Sequence, residues 1–328
     1  MLSIRENFIE TIRNGKPDRF VKQYEYMGNI RDPIGWNTGT SCIPGTNRVN
    51  DWGVTITWRE GLPGPMPMHD YDHIVLHDVT EWREVVKKPD IHRFTDEDWA
   101  PAMEMVAKVD TTQQFITTGD NGLLEKVIML MGMVDGLTSF IEEPEAMFEL
   151  VDFLADFEIE CAKERLSRFQ PEMVFHHDDW GSQTGLFLSP KTFEEILLPA
   201  YKKVYGFWRD NGVKYIVHHS DSYAAELVPY MIEMGVDVFQ GGVSENNIPA
   251  LVAKYGDKIA FHTGLDSGKF DVENWSREAM KEELDRLIQA CGRKVLIPGF
   301  TQGARGSTYP GVYEACDEII DELSAKYF

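Results

Sequence analysis

The chain has 328 residues, of which 43% are hydrophobic, so it can bury a large core and its composition argues against disorder. Its formal net charge of -22 argues against sequence-independent binding to nucleic acid or anionic membranes, although a local pocket can still be basic. The N-terminus lacks an apolar signal region, and no run approaches the roughly 20 apolar residues that span a bilayer. The protein is therefore expected to be soluble and cytoplasmic.

The first predicted elements are a helix and a strand. Residues 3–14 predict an amphipathic helix, with Ser3 as N-cap and Glu6 at capping-box spacing. The segment 20–27 predicts the first strand. Residues 28–112 are irregular and rich in proline and glycine, which favours an excursion from a larger fold over a separate domain.

The excursion is predicted to contain a hairpin. The segment from Trp52 to Trp58 alternates between polar and apolar residues and predicts a strand. The segment from Asp72 to His77 is its predicted partner, and 81–88 predicts a short helix.

Beyond residue 113, apolar strands and amphipathic helices alternate. The predicted strands are 115–118, 173–177, 215–218, 236–240, 259–262 and 295–298. The predicted helices are 122–140, 144–168, 190–210, 222–234, 248–255, 275–291 and 309–326. This alternation is typical of βαβ units in a parallel sheet. With the first strand the count reaches about seven, and an eighth could lie within 113–170, so we predict an α/β fold, a (β/α)8 TIM-type barrel, as a single domain over 1–328.

Polar side chains cluster where the predicted strands end. Five of the nine histidines follow apolar runs: His176, His177, His218, His219 and His262. Active sites of such barrels lie at the carboxyl ends of the strands. Imidazole and carboxylate groups suit zinc and also suit proton transfer. Because side chains alternate along a strand, one member of each histidine pair should face the barrel and the other should pack under a helix.

Several motifs resemble the uroporphyrinogen decarboxylase superfamily, which also contains corrinoid-dependent methyltransferases. These motifs are Arg5 to Phe8 with Gly15 to Arg19, Asp51 to Val54, Phe175 to Gly181, Val217 to Ser220, and Pro298 to Phe300. The resemblance covers nearly the whole chain and implies the same barrel. It also implies that His218 is the histidine that faces the site, because it falls where the superfamily keeps its own.

Departures from the family pattern argue against tetrapyrrole decarboxylation. The decarboxylases carry an arginine-rich segment after the first strand, which binds substrate carboxylates. That place reads Tyr24 to Asn29 here and contains Glu25 instead of bases. No histidine follows His262 either, so the decarboxylase's C-terminal histidine has no counterpart.

The methyltransferase branch is the better match. Its thiol-methylating members bind zinc through a His-x-Cys pair and a later cysteine; here His218 is kept, whereas Ser220 and Phe300 replace the cysteines. The resemblance therefore implies a nitrogen- and oxygen-rich zinc site. Its predicted metal ligands are His218, Asp178, His262 and Asp221. It further implies methyl transfer from a small O-methylated compound, often an aromatic ether, to the corrinoid of a partner protein.

The remaining predicted site residues have chemical roles. The predicted catalytic residues are Asp179, His177 and Tyr26, and the predicted substrate-binding residues are Glu25, Trp180, Gln240 and Gln302. Asp178 and Asp179 could instead cap the turn that follows their strand. Two other functions remain open: a metal-free decarboxylase that acts on a smaller carboxylic acid with Asp178 and His218 as acid and base, and a non-catalytic ligand-binding barrel.

Overall fold

The computed structural model describes residues 1–62 and 64–328. Its strands are β1 (Met27–Asn29), β2 (Asn47–Val49), β3 (Thr55–Thr57), β4 (Met66–Pro67), β5 (Phe115–Asn121), β6 (Met173–His177), β7 (Tyr215–His219), β8 (Val238–Gln240), β9 (Ala260–Leu265) and β10 (Leu296–Phe300). Among these residues a seven-stranded parallel sheet runs in the order β1-β5-β6-β7-β8-β9-β10. The alternation of strands and helices thus gives the α/β fold that the sequence predicts.

Helices alternate with the strands along the chain. They are α1 (Ile4–Ile12), α2 (Pro33–Thr38), α3 (Trp82–Val85), α4 (Asp96–Lys108), α5 (Leu123–Met131), α6 (Met133–Glu142), α7 (Pro144–Arg168), α8 (Pro190–Thr192), α9 (Leu198–Asp210), α10 (Val228–Glu233), α11 (Ile248–Tyr255), α12 (Ser267–Phe270), α13 (Arg277–Cys291) and α14 (Val312–Tyr327). A π-helical turn, Phe193–Leu197, joins α8 to α9. Across the described residues, every helix is too short or too polar to cross a membrane.

The sheet is curled around an apolar cluster to which each of its strands contributes. The inner face carries Met27, Phe115, Met173, Tyr215, Val217, Val238, Ala260 and Ile297. A larger cluster lies between the outer face and the helices and contains Val174, Ile216 and Phe239. Both faces of the sheet are therefore buried, as is usual for a parallel sheet.

The first strand differs from its prediction. The ladder begins only at Met27, because residues 22–27 form turns in which Glu25 N donates to Lys22 O (2.9 Å) and Met27 N donates to Tyr24 O (3.0 Å). The edge strands β1 and β10 share no ladder in the described residues. Helix α1 instead approaches β10, where Val295 N donates to Thr11 O at 3.0 Å.

The eighth strand expected within 113–170 is wrong for the described residues, because β5 is followed by α5, α6 and α7. The predicted helix over 122–140 is divided at Gly132, whose φ of 76° is open to glycine at little cost. The capping box of α1, by contrast, is confirmed: the Ser3 side chain accepts from Glu6 N, and the Glu6 carboxylate accepts from Ser3 N at 2.9 Å.

The excursion contains a small antiparallel sheet in the order β2-β3-β4. The predicted strand from Trp52 to Trp58 is observed only at Thr55–Thr57, and its partners are β2 and β4. The partner predicted at 72–77 is wrong. That segment begins with a 3-10 turn, Tyr71–His73, in which His73 Nδ1 lies 2.7 Å from Asp70 Oδ1.

Candidate active site

Two histidines face the inside of the sheet at its carboxyl edge. His177 ends β6 and His219 ends β7, and the two residues are paired in the ladder. Their rings stack with centroids 4.3 Å apart and planes inclined by 17°. The alternation expected for the histidine pairs is therefore observed, with the second member of each pair facing inward.

His177 is held by Glu125, a residue that the sequence did not single out. Glu125 lies in the first turn of α5, and its Oε1 is 2.8 Å from His177 Nδ1. Its other oxygen accepts from Asn121 Nδ2 at 2.9 Å. Burial lowers the pKa of His177, but the adjacent Glu125 carboxylate outweighs this effect and raises that pKa to about 10.

His219 is held by a neutral partner instead. Its Nδ1 contacts the side-chain oxygen of Gln240, which ends β8. The Gln240 amide nitrogen donates to the carbonyls of Thr301 (2.9 Å) and Phe300 (3.3 Å). Burial, and after it the nearby charge of His177, lowers the pKa of His219 well below its ordinary value. Gln240 is fully buried and its amide is engaged at both ends, which disfavours the predicted substrate-binding role.

Asp179 completes a cluster with the two inward histidines. One ligand atom from each of His177, Asp179 and His219 lies within 4.8 Å of the other two. Two nitrogens and one oxygen are the donor set of several catalytic zinc sites, which keep further positions open for substrate. Since both Nδ1 atoms are engaged by Glu125 and Gln240, a metal would bind the Nε2 of each ring, and at His177 it would displace the proton that the raised pKa implies there. The residues present therefore fit a zinc ion.

A second acid, Asp221, lies beside this cluster. Its backbone nitrogen donates to Asp179 Oδ1 at 2.6 Å. Within the described part of the chain its buried Oδ1 has no hydrogen-bond partner. Burial raises the pKa of Asp179 to about 6 and that of Asp221 to about 7. The two carboxyl groups therefore titrate near neutrality, a property typical of catalytic acids.

His218, the predicted site histidine, faces the other way. Its Nδ1 is 2.7 Å from the Tyr205 hydroxyl on α9, and its ring stacks on Trp180 with centroids 3.9 Å apart. The same hydroxyl lies 2.8 Å from Nδ1 of His176. The orientation predicted for His218 is wrong, because position 218 belongs to the outer set of β7, which packs against α9.

Asp178, predicted as a metal ligand, has its oxygens occupied by protein donors. Its carboxylate accepts from the backbone nitrogens of Leu124 (3.0 Å) and Glu125 (2.8 Å) at the start of α5. The Trp180 indole donates to it at 3.1 Å, and the Tyr201 hydroxyl donates as well. Asp178 thus caps a helix, where a carboxylate complements the exposed N–H groups. The same contact buries the Trp180 indole, which was predicted to bind substrate.

His262 faces inward but lies outside the cluster of ligand atoms. Its Nδ1 is 3.3 Å from the Tyr26 hydroxyl, and burial lowers its pKa to about 3. A Cβ on Gly299 would meet His262 Nε2 at 3.0 Å, so the ring is enclosed by the neighbouring strand. Tyr26 is also enclosed, with its ring 4.3 Å from that of Phe8. Their predicted metal and catalytic roles find no support in this arrangement.

The two other predicted substrate residues lie away from the cluster. The carbonyl of Glu25 accepts from Gln114 Nε2 at 3.1 Å, next to the first residue of β5 and hence at the opposite edge of the sheet. Gln302 is exposed beyond β10. The sequence correctly locates the polar edge of the sheet, but these two side chains are not part of its centre.

A cleft of about 310 Å³ opens beside His177. Its walls include Phe175, Asn121, Trp36 and Arg31, and the Trp36 side chain is 47% exposed. Two acids of the wall, Asp32 and Asp120, are both bound to the buried guanidinium of Arg165. A cavity of this size suits a small organic molecule rather than a macrocycle.

The fold and this edge cluster define an α/β barrel-type protein with an imidazole–carboxylate centre at the carboxyl ends of its strands. The family model for uroporphyrinogen decarboxylase (URO-D) matches residues 124–297, more than half of the chain, and the chain belongs to that family. No curated protein matches the chain.

A solved structure, a methyltransferase from Methanosarcina mazei, is similar over 98% of this chain and 99% of that one, with a TM-score of 0.66 and 12% sequence identity. At this identity the likeness shows the fold alone. The predicted resemblance to the URO-D superfamily is confirmed by the family match.

Proposed function

We propose that this protein is a zinc-assisted methyltransferase, which moves a methyl group from a small O-methylated compound to the corrinoid of a partner protein. The observation that carries the proposal is the cluster of His177, Asp179 and His219 at the mouth of the sheet. The URO-D fold and the methyltransferase of similar fold support it.

The metal ligands and the cleft walls each have a role in this reaction. Bound between the two imidazoles and Asp179, zinc would supply a Lewis acid that polarises the ether oxygen of the substrate. The cleft walls of Trp36 and Phe175 offer flat apolar surfaces against which an aromatic ether can lie. The methyl carbon must then point out of the mouth, where the corrinoid cobalt can approach it.

The leaving oxygen needs a proton once its methyl group has gone. Asp221 is a candidate to supply it, because its backbone nitrogen binds Asp179 Oδ1 and burial raises the pKa of its carboxyl group to about 7. In this assignment Asp179 is a metal ligand rather than the proton donor that the sequence suggested. The proton passes from Asp221 to the alkoxide or phenoxide, and solvent restores it.

The test uses purified protein with free cob(I)alamin and 4-methoxybenzoate or methoxybenzene as methyl donors. We expect methylcobalamin to form with at least one donor, and to stop when a chelator removes the metal. Protein that binds no zinc, or demethylation that survives an excess of chelator, would overturn the zinc assignment. Absence of methylcobalamin with a wide panel of methyl ethers would overturn methyl transfer.

One observation favours a second function, decarboxylation of a small carboxylic acid without metal. Arg31 lines the cleft, and among the described residues no carboxylate lies within 4.0 Å of its guanidinium. An unpaired arginine could hold a substrate carboxylate. Metal analysis separates the two functions, since the decarboxylase requires no ion. Release of carbon dioxide from a panel of small acids by metal-free protein would favour it.

A further inference from the structure

The two inward histidines have different hydrogen-bond partners, Glu125 for His177 and Gln240 for His219. Each partner restricts which ring nitrogen of its histidine carries the hydrogen. Gln240 is the clearer case. Its amide nitrogen faces two carbonyl groups, those of Phe300 and Thr301, which can only accept. The amide oxygen must therefore point at His219, and it can only accept. It follows that His219 carries its hydrogen on Nδ1.

Glu125 restricts His177 in the same way. One carboxylate oxygen receives the Asn121 amide hydrogen at 2.9 Å, and the other is 2.8 Å from His177 Nδ1. The backbone nitrogen of Glu125 is itself fixed by Asp178 at 2.8 Å. The carboxylate is thus held from the helix side and accepts from both neighbours. His177 must therefore carry a hydrogen on Nδ1, which it donates to the Glu125 carboxylate.

We propose that Glu125 and Gln240 are positioning residues, which fix hydrogens on the Nδ1 atoms of His177 and His219 and so preset both Nε2 atoms as donors to one divalent metal. The inference rests on the proposed function for its metal. The orientation of the two rings can nevertheless be tested in protein without metal. Four neighbouring strands and one helix contribute, since Asn121 ends β5, His177 ends β6, His219 ends β7, Gln240 ends β8 and Glu125 lies in the first turn of α5.

Glu125 is charged and Gln240 is neutral, and this difference affects how strongly each imidazole binds the ion. A carboxylate partner makes its imidazole a stronger electron donor than an amide partner does. His177 is therefore the stronger ligand and His219 the weaker one. Replacing the partner of His177 should weaken metal binding more than any change in distant charge.

The first test is nuclear magnetic resonance of metal-free protein labelled with nitrogen-15 in its histidines. For His219 we expect the neutral form with hydrogen on Nδ1 and a bare Nε2. A His219 signal that shows the hydrogen on Nε2 would overturn the proposal. This measurement involves no metal and no methyl transfer, so a failure of the proposed function leaves its result intact.

The second test compares Glu125→Gln with Asp135→Asn, which removes the same charge from an exposed position on α6. Affinity for Zn²⁺ is measured by competition with a coloured chelator, and Co²⁺ is added to record its visible spectrum. We expect Glu125→Gln to weaken binding by roughly 10- to 100-fold and to alter the Co²⁺ spectrum. Asp135→Asn should change affinity by no more than about twofold, because an exposed charge is screened.

Equal Zn²⁺ affinities for Glu125→Gln, Asp135→Asn and wild type would overturn the positioning role of Glu125. A merely structural role would lower the unfolding temperature without altering the Co²⁺ spectrum of the folded fraction. Gln240→Glu supplies an independent variant, since a carboxylate there would face the Phe300 and Thr301 carbonyls. We expect it to disturb the His219 signal, and an unchanged signal would contradict the role of Gln240.

Discussion

The two edges of the parallel sheet carry different side chains: aromatic rings and an ion pair at the amino edge, histidines and acids at the carboxyl edge. At the amino edge, the Phe8 ring on α1 lies 4.3 Å from that of Tyr26, 5.4 Å from Phe115 and 5.5 Å from Tyr215. One acid of this edge, Glu172, binds Arg5 and Lys214. Glu172 is thus paired with two cations, and the aromatic rings of this edge are packed together.

The carboxyl edge leaves polar atoms without partners. Asp221 Oδ1 and His262 Nε2 are buried and unbonded within the described residues. Asp179 and Asp221 have raised pKa values of about 6 and 7, whereas Glu172 has a pKa lowered to about 2, chiefly by its hydrogen bond with Arg5. The amino edge therefore contributes to stability, whereas the carboxyl edge holds polar groups that a bound ligand could pair.

Removing an aromatic ring from the packed amino edge should have a larger effect on stability than any other change proposed here. Phe8→Ala removes a ring that is fully buried, and we expect a loss of about 3–5 kcal/mol in the free energy of unfolding. Denaturant titration measures it. Phe148→Ala, on α7 and 43% exposed, is the control and should cost less than about 0.5 kcal/mol. Similar losses for the two variants would contradict the assignment of the amino edge as the stabilising one.

At the open edge, His219→Ala should act on metal binding more than on stability. We expect Zn²⁺ affinity to fall by at least about 100-fold. Removing a metal ligand should weaken binding more than removing the residue that positions a ligand. His218→Ala is the matched control on the opposite face of β7, and it should lower the unfolding temperature while the folded protein still binds Zn²⁺. If His218→Ala abolished binding and His219→Ala did not, the site would lie on the outer face.

A smaller effect concerns the pH dependence of the open edge. The pKa of Asp221 is raised by burial from 3.8 to about 7, so the folded state favours the protonated acid. The contribution of Asp221 to the free energy of unfolding is fully present below pH 4, and it is lost as the pH rises through 7. Asp221→Asn should therefore stabilise metal-free protein by about 2 kcal/mol at pH 8 relative to wild type, and by much less at pH 4. Thermal unfolding at the two pH values measures the difference, and an equal effect at both would contradict it.

The smallest effect is the opposite pH dependence at the packed edge. Because the pKa of Glu172 is lowered from 4.5 to about 2, its contribution is present above pH 4.5 and is lost as the pH falls toward 2. Glu172 is partly exposed, so Glu172→Gln should cost only about 1 kcal/mol at pH 7. The cost should vanish near pH 2. Glu142→Gln, an exposed acid on α6, should show no such dependence.

Much of the architecture could be predicted from the sequence. The strands at 173–177 and 215–219 and the helices at 144–168 and 248–255 lie close to where the periodicity placed them. Local rules were sufficient there, because capping residues and apolar spacing act within a few positions. The first strand failed, since Phe20 and Val21 are buried by packing without entering a ladder.

The residue pattern was enough to predict that histidines and acids end neighbouring parallel strands, and that one histidine of each pair faces inward. It could not determine which one. Tyr215, Ile216 and Val217 are all buried, because both faces of the sheet are covered. The strand therefore shows no polar–apolar alternation from which its inward-facing residues could be predicted. Matching to the family chose His218, and a shift of one residue along a strand exchanges its faces. The imidazoles that meet at the open edge are set by long-range packing, in which α9 lies against His218 and Glu125 lies beside His177.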